Sequence, residues 1–326
     1  MSNRNKMFYK VCVRCMTYNQ SAYITDAMNG FAMQQTNFPF VAVIVDDASN
    51  DGEQDVVKSY IDEHFCLSEE MGFNQWETED AHWIFARHKE NDNCHFVAVF
   101  LKRNLYKESE KKKAIINEWL DAKYVALCEG DDYWIDPLKL QRQVHFLEEN
   151  LEYSTSAENG LVLYTSNQTT TAFSEEGSRN ITFEELLIKR RFPTASVVYR
   201  SCYREGLGKL IPPRFDTLYW AYLSKQGKIH YNSVISSVYR RGSGITSNDK
   251  IKWAYTVRGF NISLNKNFCV PDEINKIRKR DVFENILEGL KEAKRQKRYA
   301  DVFRLFCYGM ELFPKRMLKL FVKGLK

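Results

Sequence analysis

No stretch of this 326-residue chain strings together the roughly 20 apolar residues that a membrane span needs. The opening residues, Met1 to Lys10, are polar and charged and hold no apolar h-region, so no secretory leader is predicted. Cysteine is present but not organised. The eight cysteines are scattered, and the CxxC of Cys12 and Cys15 falls on a predicted strand, where residues three apart face opposite sides. With no second CxxC, a zinc site is not expected, and all eight read as reduced, mostly buried thiols. No internal repeat is visible. Together these absences argue against a spanning protein and a disulfide framework, and they imply a cytoplasmic location.

What the chain does contain is a globular composition with an uneven charge. Apolar residues make up 44% and charged residues 27%, the balance of a soluble folded protein; the high aromatic content, 14%, implies a ligand groove or interfacial surface as well as a core. The length allows one large domain or two smaller ones. The net charge of +5 hides an asymmetry: from Lys276 onward 15 Lys and Arg face 6 Asp and Glu, leaving the body mildly acidic. Such a tail points to an anionic surface. Nucleic acid is not an expected partner, because the basic charge is confined to the tail and no recognised binding module accompanies it.

Val11 to Cys15 reads as a short strand, followed by the polar turn Thr17-Tyr18-Asn19-Gln20 and a helix with Ile24, Ala27, Met28 and Phe31 at helical spacing. Val41 to Val45 is a continuous apolar run, the mark of a strand buried on both faces. A helix is predicted from Gln54 to Phe65, strands at Phe96–Phe100 and Val125, and helices at Lys111–Ala122 and Pro137–Glu149. A strand at Leu161–Tyr164 precedes a polar loop over Thr165–Asn180, the expected variable region. Ala195–Tyr199 reads as a strand, Thr217–Lys225 as a helix and Ile229–Val238 as extended. From Asn275 the pattern is helical to the end. The alternation predicts an α/β fold with a parallel sheet and right-handed crossovers.

The chemistry gathers where strands end. Val125-Ala126-Leu127-Cys128 runs into Glu129-Gly130-Asp131-Asp132-Tyr133-Trp134. Carboxylates crowded this closely repel unless something positive sits among them. A hard divalent cation, which takes carboxylate oxygens and keeps substrate phosphates as its other ligands, answers that need. A solvated acidic turn before a helix starting at Asp136-Pro137 is the alternative. A second strand ends in Asp46-Asp47, and the first ends in Thr17-Tyr18-Asn19. Ligands in open α/β sheets collect at such carboxyl ends. A nucleotide base can stack on Tyr18 while Asp47 accepts from a base N–H or a ribose hydroxyl; alone, Tyr18 and Asn19 would read as a helix-capping turn.

These pieces together resemble a family 2 glycosyltransferase of the GT-A fold, a Rossmann-like, mostly parallel sheet flanked by helices. Thr17-Tyr18-Asn19-Gln20 matches its TYN motif, and Val45-Asp46-Asp47-Ala48-Ser49-Asn50-Asp51-Gly52 its VDDxSxDG motif. Glu129-Gly130-Asp131-Asp132-Tyr133-Trp134, followed by Pro137 and Leu140, matches its metal motif. Weaker matches are Phe192 to Arg200, Phe215-Asp216-Thr217-Leu218, and Tyr239-Arg240-Arg241-Gly242-Ser243-Gly244. The resemblance is specific over residues 10–145, moderate over 190–246, and ends near 260. It implies inverting transfer of a sugar from a nucleoside diphosphate, UDP favoured, to a hydroxyl of a glycan or lipid-linked acceptor in surface polysaccharide biosynthesis. It assigns Tyr18 and Asp47 to the nucleoside, Thr17, Asn19 and Asp46 to the substrate without a finer role, and Asp131 and Asp132 to the ribose–diphosphate–metal unit. Glu129, Asp131 and Asp132 go to Mn2+ or Mg2+, Asp216 to the role of base, and Arg240 to the diphosphate. Lys113 and Arg103 are weaker candidates, read first as solvated surface charges.

Three departures from the pattern keep a second reading open, a catalytically degenerate scaffold or carbohydrate-binding protein: Glu129 in place of Asp, Phe215 before Asp216, and Gly242 near the usual late histidine. A nucleotidyltransferase would want a Gly-rich basic loop after the first strand, which Met16 to Gln20 is not. The domain expectation is a catalytic domain over 1–258 and a basic helical region over 259–326. In the tail, Met317, Leu318, Phe321 and Leu325 fall at helical spacing among lysines and arginines. Such a helix either lies in an anionic membrane interface, making the protein peripheral on the inner face of the cell membrane, or packs its apolar stripe on the catalytic domain.

Overall fold

The computed structural model describes residues 8–213, 215–242 and 249–322. It divides into two compact units. Met1–Ile181, Arg191–Glu205 and Leu223–Arg241 form the first, and Thr182–Arg190, Gly206–Tyr222 and Gly242–Lys326 the second.

The first unit is built on a 13-stranded mixed sheet. Its elements begin β1 (Val11–Thr17), α1 (Ile24–Ala32), β2 (Phe40–Asp46), α2 (Glu53–His64), β3 (Phe65–Cys66), β4 (Asn74–Glu77), β5 (Ala81–His88), β6 (Cys94–Leu101) and α3 (Ser109–Ile116). They continue with β7 (Tyr124–Leu127), β8 (Tyr133–Trp134), α4 (Lys139–Glu149), β9 (Tyr153–Tyr164), β10 (Thr169–Ala172) and β11 (Arg179–Ile181). After α5 (Phe183–Ile188) of the second unit come β12 (Val198–Arg200) and β13 (Lys228–Arg241), with α6 (Arg204–Lys209) and α7 (Asp216–Gln226), which belong largely to the second unit, between them in sequence. The order along the main path is β11-β13-β9-β12-β7-β1-β2-β6-β5-β3. The Rossmann-like heart is parallel, with β1 between β7 and β2, and β6 beyond β2. Antiparallel strands extend it on both sides, β12 on β7 and β5 on β6.

Every residue of β2 and β6 is buried, as their unbroken apolar runs require. Alternate residues serve opposite faces. Val11, Val13, Phe40, Ala42 and Ile44 pack with Ile24, Met28 and Phe31 of α1 and Val57 and Ile61 of α2. Val41, Val43, Val45, Val97 and Val99 form the core of the other face with Ile116 of α3. Each fully buried Val, Ile, Phe or Met among them is worth about 1.5–3 kcal/mol. Both faces of the parallel strands are thereby covered, which leaves their carboxyl ends as the place where polar residues gather.

Two polar segments depart from the sequence reading. β9 is a 12-residue strand that starts at Tyr153 well before the apolar run at Leu161, and its Ser154, Thr155, Ser156, Glu158 and Asn159 are buried. Partners explain this: the Arg142 guanidinium donates to both Glu158 oxygens at 2.7 and 3.0 Å, and Ser154 Oγ donates to the Leu223 carbonyl. The expected loop at 165–180 contains β10, paired with β9.

In the second unit, α8 (Lys250–Asn267), α9 (Asp272–Arg295), α10 (Tyr299–Leu312) and α11 (Pro314–Val322) pack around Ile251, Val282, Ile286, Leu290, Leu305 and Met317. A Cβ on Gly289 of α9 would fall 2.7 Å from Ala254 Cβ of α8, so glycine sets how closely these helices approach. Met317 is fully buried against Gly309 of α10, which takes that part of the tail stripe into the bundle, whereas Leu318 is exposed. Leu325 and the side chain of Phe321 lie outside the described residues. No helix among the described residues is long and apolar enough to cross a membrane.

Candidate functional site

The parallel register puts the polar strand ends side by side. Thr17 pairs with Asp46 across β1 and β2, and Asp47 N–H donates to the Thr17 carbonyl at 3.0 Å. On the other flank Arg14 pairs with Leu127, and the backbone ladder continues past β7 through Cys128 N–H to Arg14 and Gly130 N–H to Met16. A Cβ on Gly130 would fall against Thr17 Oγ1 and within 2.6 Å of Gln20 Oε1. Only a residue without a side chain lets the acidic turn lie this close to the Thr17–Gln20 turn.

A residue absent from the sequence reading ties the two other loops together. Glu53, the first residue of α2, has no exposed surface. Its carboxylate accepts hydrogen bonds from the Thr17 hydroxyl, Gln20 N–H at 2.9 Å and Ser49 Oγ at 2.8 Å. Burial raises its pKa, against the pull of these three donors. The latch is extended by Asn19 N–H to Ser49 Oγ, Asn50 N–H to Asn19 Oδ1, and Ser21 N–H to Asp51 Oδ2. Asn19 and Ala48 sit at φ of 54° and 60°. That region suits asparagine but strains alanine.

Each carboxylate at the strand ends has a protein partner. Asp46 accepts from Gln54 Nε2 at 2.6 Å and from Ser49 N–H. Asp47, expected to face the nucleoside, accepts from Leu105 N–H at 2.6 Å and Lys112 Nζ at 2.8 Å, while Lys113 and Arg103 pair with Glu110 and Glu108 at the surface. Glu129 Oε1 lies 3.9 Å from Arg14. Asp132, 4% exposed, accepts from Arg240 N–H at 2.9 Å. The Arg240 guanidinium, expected at a diphosphate, is 7% exposed; it donates to the Asp131 carbonyl at 2.8 Å and to Asp26, between the rings of Tyr23 and Tyr133. It clamps the acidic turn. Among the described residues no three His, Cys, Asp or Glu side chains gather closely enough to hold a cation unaided, Glu129, Asp131 and Asp132 included.

The neighbouring thiols feel the same charges. Cys15 and Cys128 are fully buried, and burial first, then the nearby carboxylates, push both well above the ordinary thiol range. None of the eight cysteines is paired. Tyr18 keeps 41% of its surface exposed, so its ring offers a stacking face. A cavity of about 610 Å³ opens at the ends of β2 and β6, with Ser49, Gln54, Lys58, His82 and Lys102 on its walls. Asp216 opens α7 in the second unit. Ser243 and Gly244 of the late turn lie outside the described residues.

No family model matches the chain. It is 30% identical over 231 residues to uncharacterized proteins of Mycobacterium tuberculosis strain H37Rv and Mycobacterium bovis, an alignment covering 69% of this chain. The chain spans 57% of the length of these curated relatives. Among solved structures it is similar to Staphylococcus aureus TarS residues 1–349 in complex with UDP-GlcNAc. The TM-score is 0.61 at 14% identity, over 94% of this chain and 82% of that one. The same protein in complex with UDP gives a TM-score of 0.59 at 13% identity over the same shares. At such identity the likeness speaks to architecture: this chain has the GT-A fold of glycosyltransferases.

Proposed function

We propose that this protein transfers a sugar from a nucleoside diphosphate to a hydroxyl of a glycan or lipid-linked acceptor, with inversion, in the building of a surface polysaccharide. The observation that carries the reading is the juxtaposition of three polar loops at the carboxyl ends of β2, β1 and β7, made close by Gly130 and latched by Glu53. UDP and UDP-GlcNAc bound by TarS, a protein of the same fold, support a UDP-sugar donor.

In this reading the base stacks on Tyr18, and Asp47 with Lys112 forms the polar wall beside the base and ribose. Thr17, Asn19 and Asp46 hold the loop geometry through Glu53 and Ser49. Asp131 and Asp132, with Glu129 nearby, would hold Mn2+ or Mg2+ together with the diphosphate, and the ion would offset the charge that develops on the leaving group. Arg240 acts as a positioning residue for Asp131 and Asp132. Asp216 takes the proton from the acceptor hydroxyl as it attacks the anomeric carbon. Loops fixed before substrate arrives favour this chemistry, because positioning supplies much of the rate.

The test is thermal shift with UDP, GDP and other nucleoside diphosphates, with and without Mn2+, followed by transfer from the stabilising sugar nucleotide. Stabilisation by one nucleotide that needs the metal and disappears in Asp131→Ala is expected. Asp216→Asn should keep that binding and lose transfer by about 100-fold or more. Binding without transfer in the wild type would instead mark a degenerate scaffold, and no metal-dependent binding to any nucleotide would refute the reading.

A further inference from the structure

Helices α8, α9 and α10 enclose a polar cluster rich in positive charge. Arg278 of α9 is 5% exposed; its Nη2 donates to Asn261 Oδ1 of α8 at 2.8 Å, and its Nη1 finds no hydrogen-bond partner among the described residues. Tyr308 of α10 is 4% exposed, and its hydroxyl lies against Asn261 without a hydrogen bond of acceptable geometry. Arg258 of α8, one turn before Asn261, is half-buried. Its guanidinium carbon stands 4.6 Å from the centre of the Tyr308 ring, and its Nε is likewise without a partner among the described residues. Neither arginine forms an ion pair with a carboxylate among the described residues.

Burying a charge without a counter-charge is among the most unfavourable things a fold can do. Burial lowers the pKa of Arg278 to about 10, yet a guanidinium stays protonated there at neutral pH. The donors left over define what would compensate it: guanidinium N–H groups from two helices and a phenolic O–H from a third. Guanidinium forks match the oxygens of carboxylate and phosphate. Donors arriving from three helices favour an anion whose oxygens do not share one plane, and tetrahedral phosphate meets that condition where a planar carboxylate does not.

We propose that Arg278, Arg258, Tyr308 and Asn261 form a phosphate-binding site in the helical unit, taking a phosphate mono- or diester. The proposal does not depend on the sugar-nucleotide reading.

Inorganic phosphate is the probe, titrated into the full chain against sodium chloride at matched ionic strength. A saturable rise in Tm of about 2 °C or more is expected at phosphate well above Kd. Arg258→Gln and Arg278→Met should each abolish it. Arg278→Met should also be at least as stable as the wild type in phosphate-free buffer, which a merely structural role for the Asn261 bond would not give. If that variant fails to fold, Arg258→Gln, at a half-buried position, carries the test alone. Sedimentation with phosphatidylcholine vesicles, with and without phosphatidic acid, separates the sources. Binding lost in Arg258→Gln assigns a lipid phosphate, and a response to inorganic phosphate alone assigns a soluble one. A phosphate effect no greater than that of chloride, or one that survives in the folded variants, overturns the proposal.

Discussion

Lys139 opens α4 with no exposed surface, its ammonium 2.7 Å from Gln143 Oε1 and 4.5 Å from the centre of the Trp134 ring. Burial lowers its pKa from 10.5 to about 8, more than the attraction of Glu158 restores. In the unfolded chain the amine keeps its ordinary value. Below pH 8 it is charged in both states, and the full burial penalty weighs on the fold. As pH rises from about 8 toward 10.5, the folded protein has released the proton and the unfolded chain has not, so stability must climb. At about 1.4 kcal/mol per pKa unit, the gain between pH 7 and pH 10 is about 2.5 kcal/mol. Lys139→Met keeps an unbranched apolar stem and removes the charge. Urea unfolding of both proteins at several pH values across that range isolates the term, because every other titrating group is common to the two. The wild type should gain about 2.5 kcal/mol on the variant as pH rises. A constant difference between the two proteins would refute the claim that this lysine is buried against its own charge.

Two further substitutions test the loops. Gly130→Ala forces a methyl against Thr17 and Gln20, and is expected to cost about 1–3 kcal/mol in chemical denaturation and to weaken nucleotide binding as the acidic turn is pushed from β1. Ala48→Gly relieves a backbone held at φ 60°, and should raise stability by about 1 kcal/mol in the same assay without altering nucleotide affinity.

Much of the parallel heart of the fold is legible in the sequence, because strands buried on both faces leave unbroken apolar runs such as Val41 to Val45. Once those strands are parallel, their polar ends must share an edge, so the nearness of Thr17, Asp46 and Gly130 follows from pattern alone. What escapes is anything whose placement depends on a distant partner. Ser154 to Asn159 carry no apolar strand pattern, and their burial rests on partners such as Arg142 and Leu223. Glu53 looks like an acid at a helix start, serving the dipole, when it is the latch between two loops. Periodicity also cannot distinguish Lys112, which reaches Asp47, from Lys113, which pairs with Glu110 at the surface. Charged residues are assigned to the surface by default, and Lys139, Glu158 and Arg278 are among the exceptions.

The Arg240 clamp has a consequence for how the protein is made. Its partners lie 108, 109 and 214 positions earlier in the chain. During synthesis the three loops emerge first, carrying their acids without this cation, and the clamp can close only after residue 240 has left the ribosome. Contacts of such long sequence separation form late and slowly. The nascent chain therefore adds 108 residues between Asp132 and Arg240 with an unfinished acidic turn, and a product truncated before the last strand of the sheet would carry every acid of the candidate site and lack the arginine that clamps this turn.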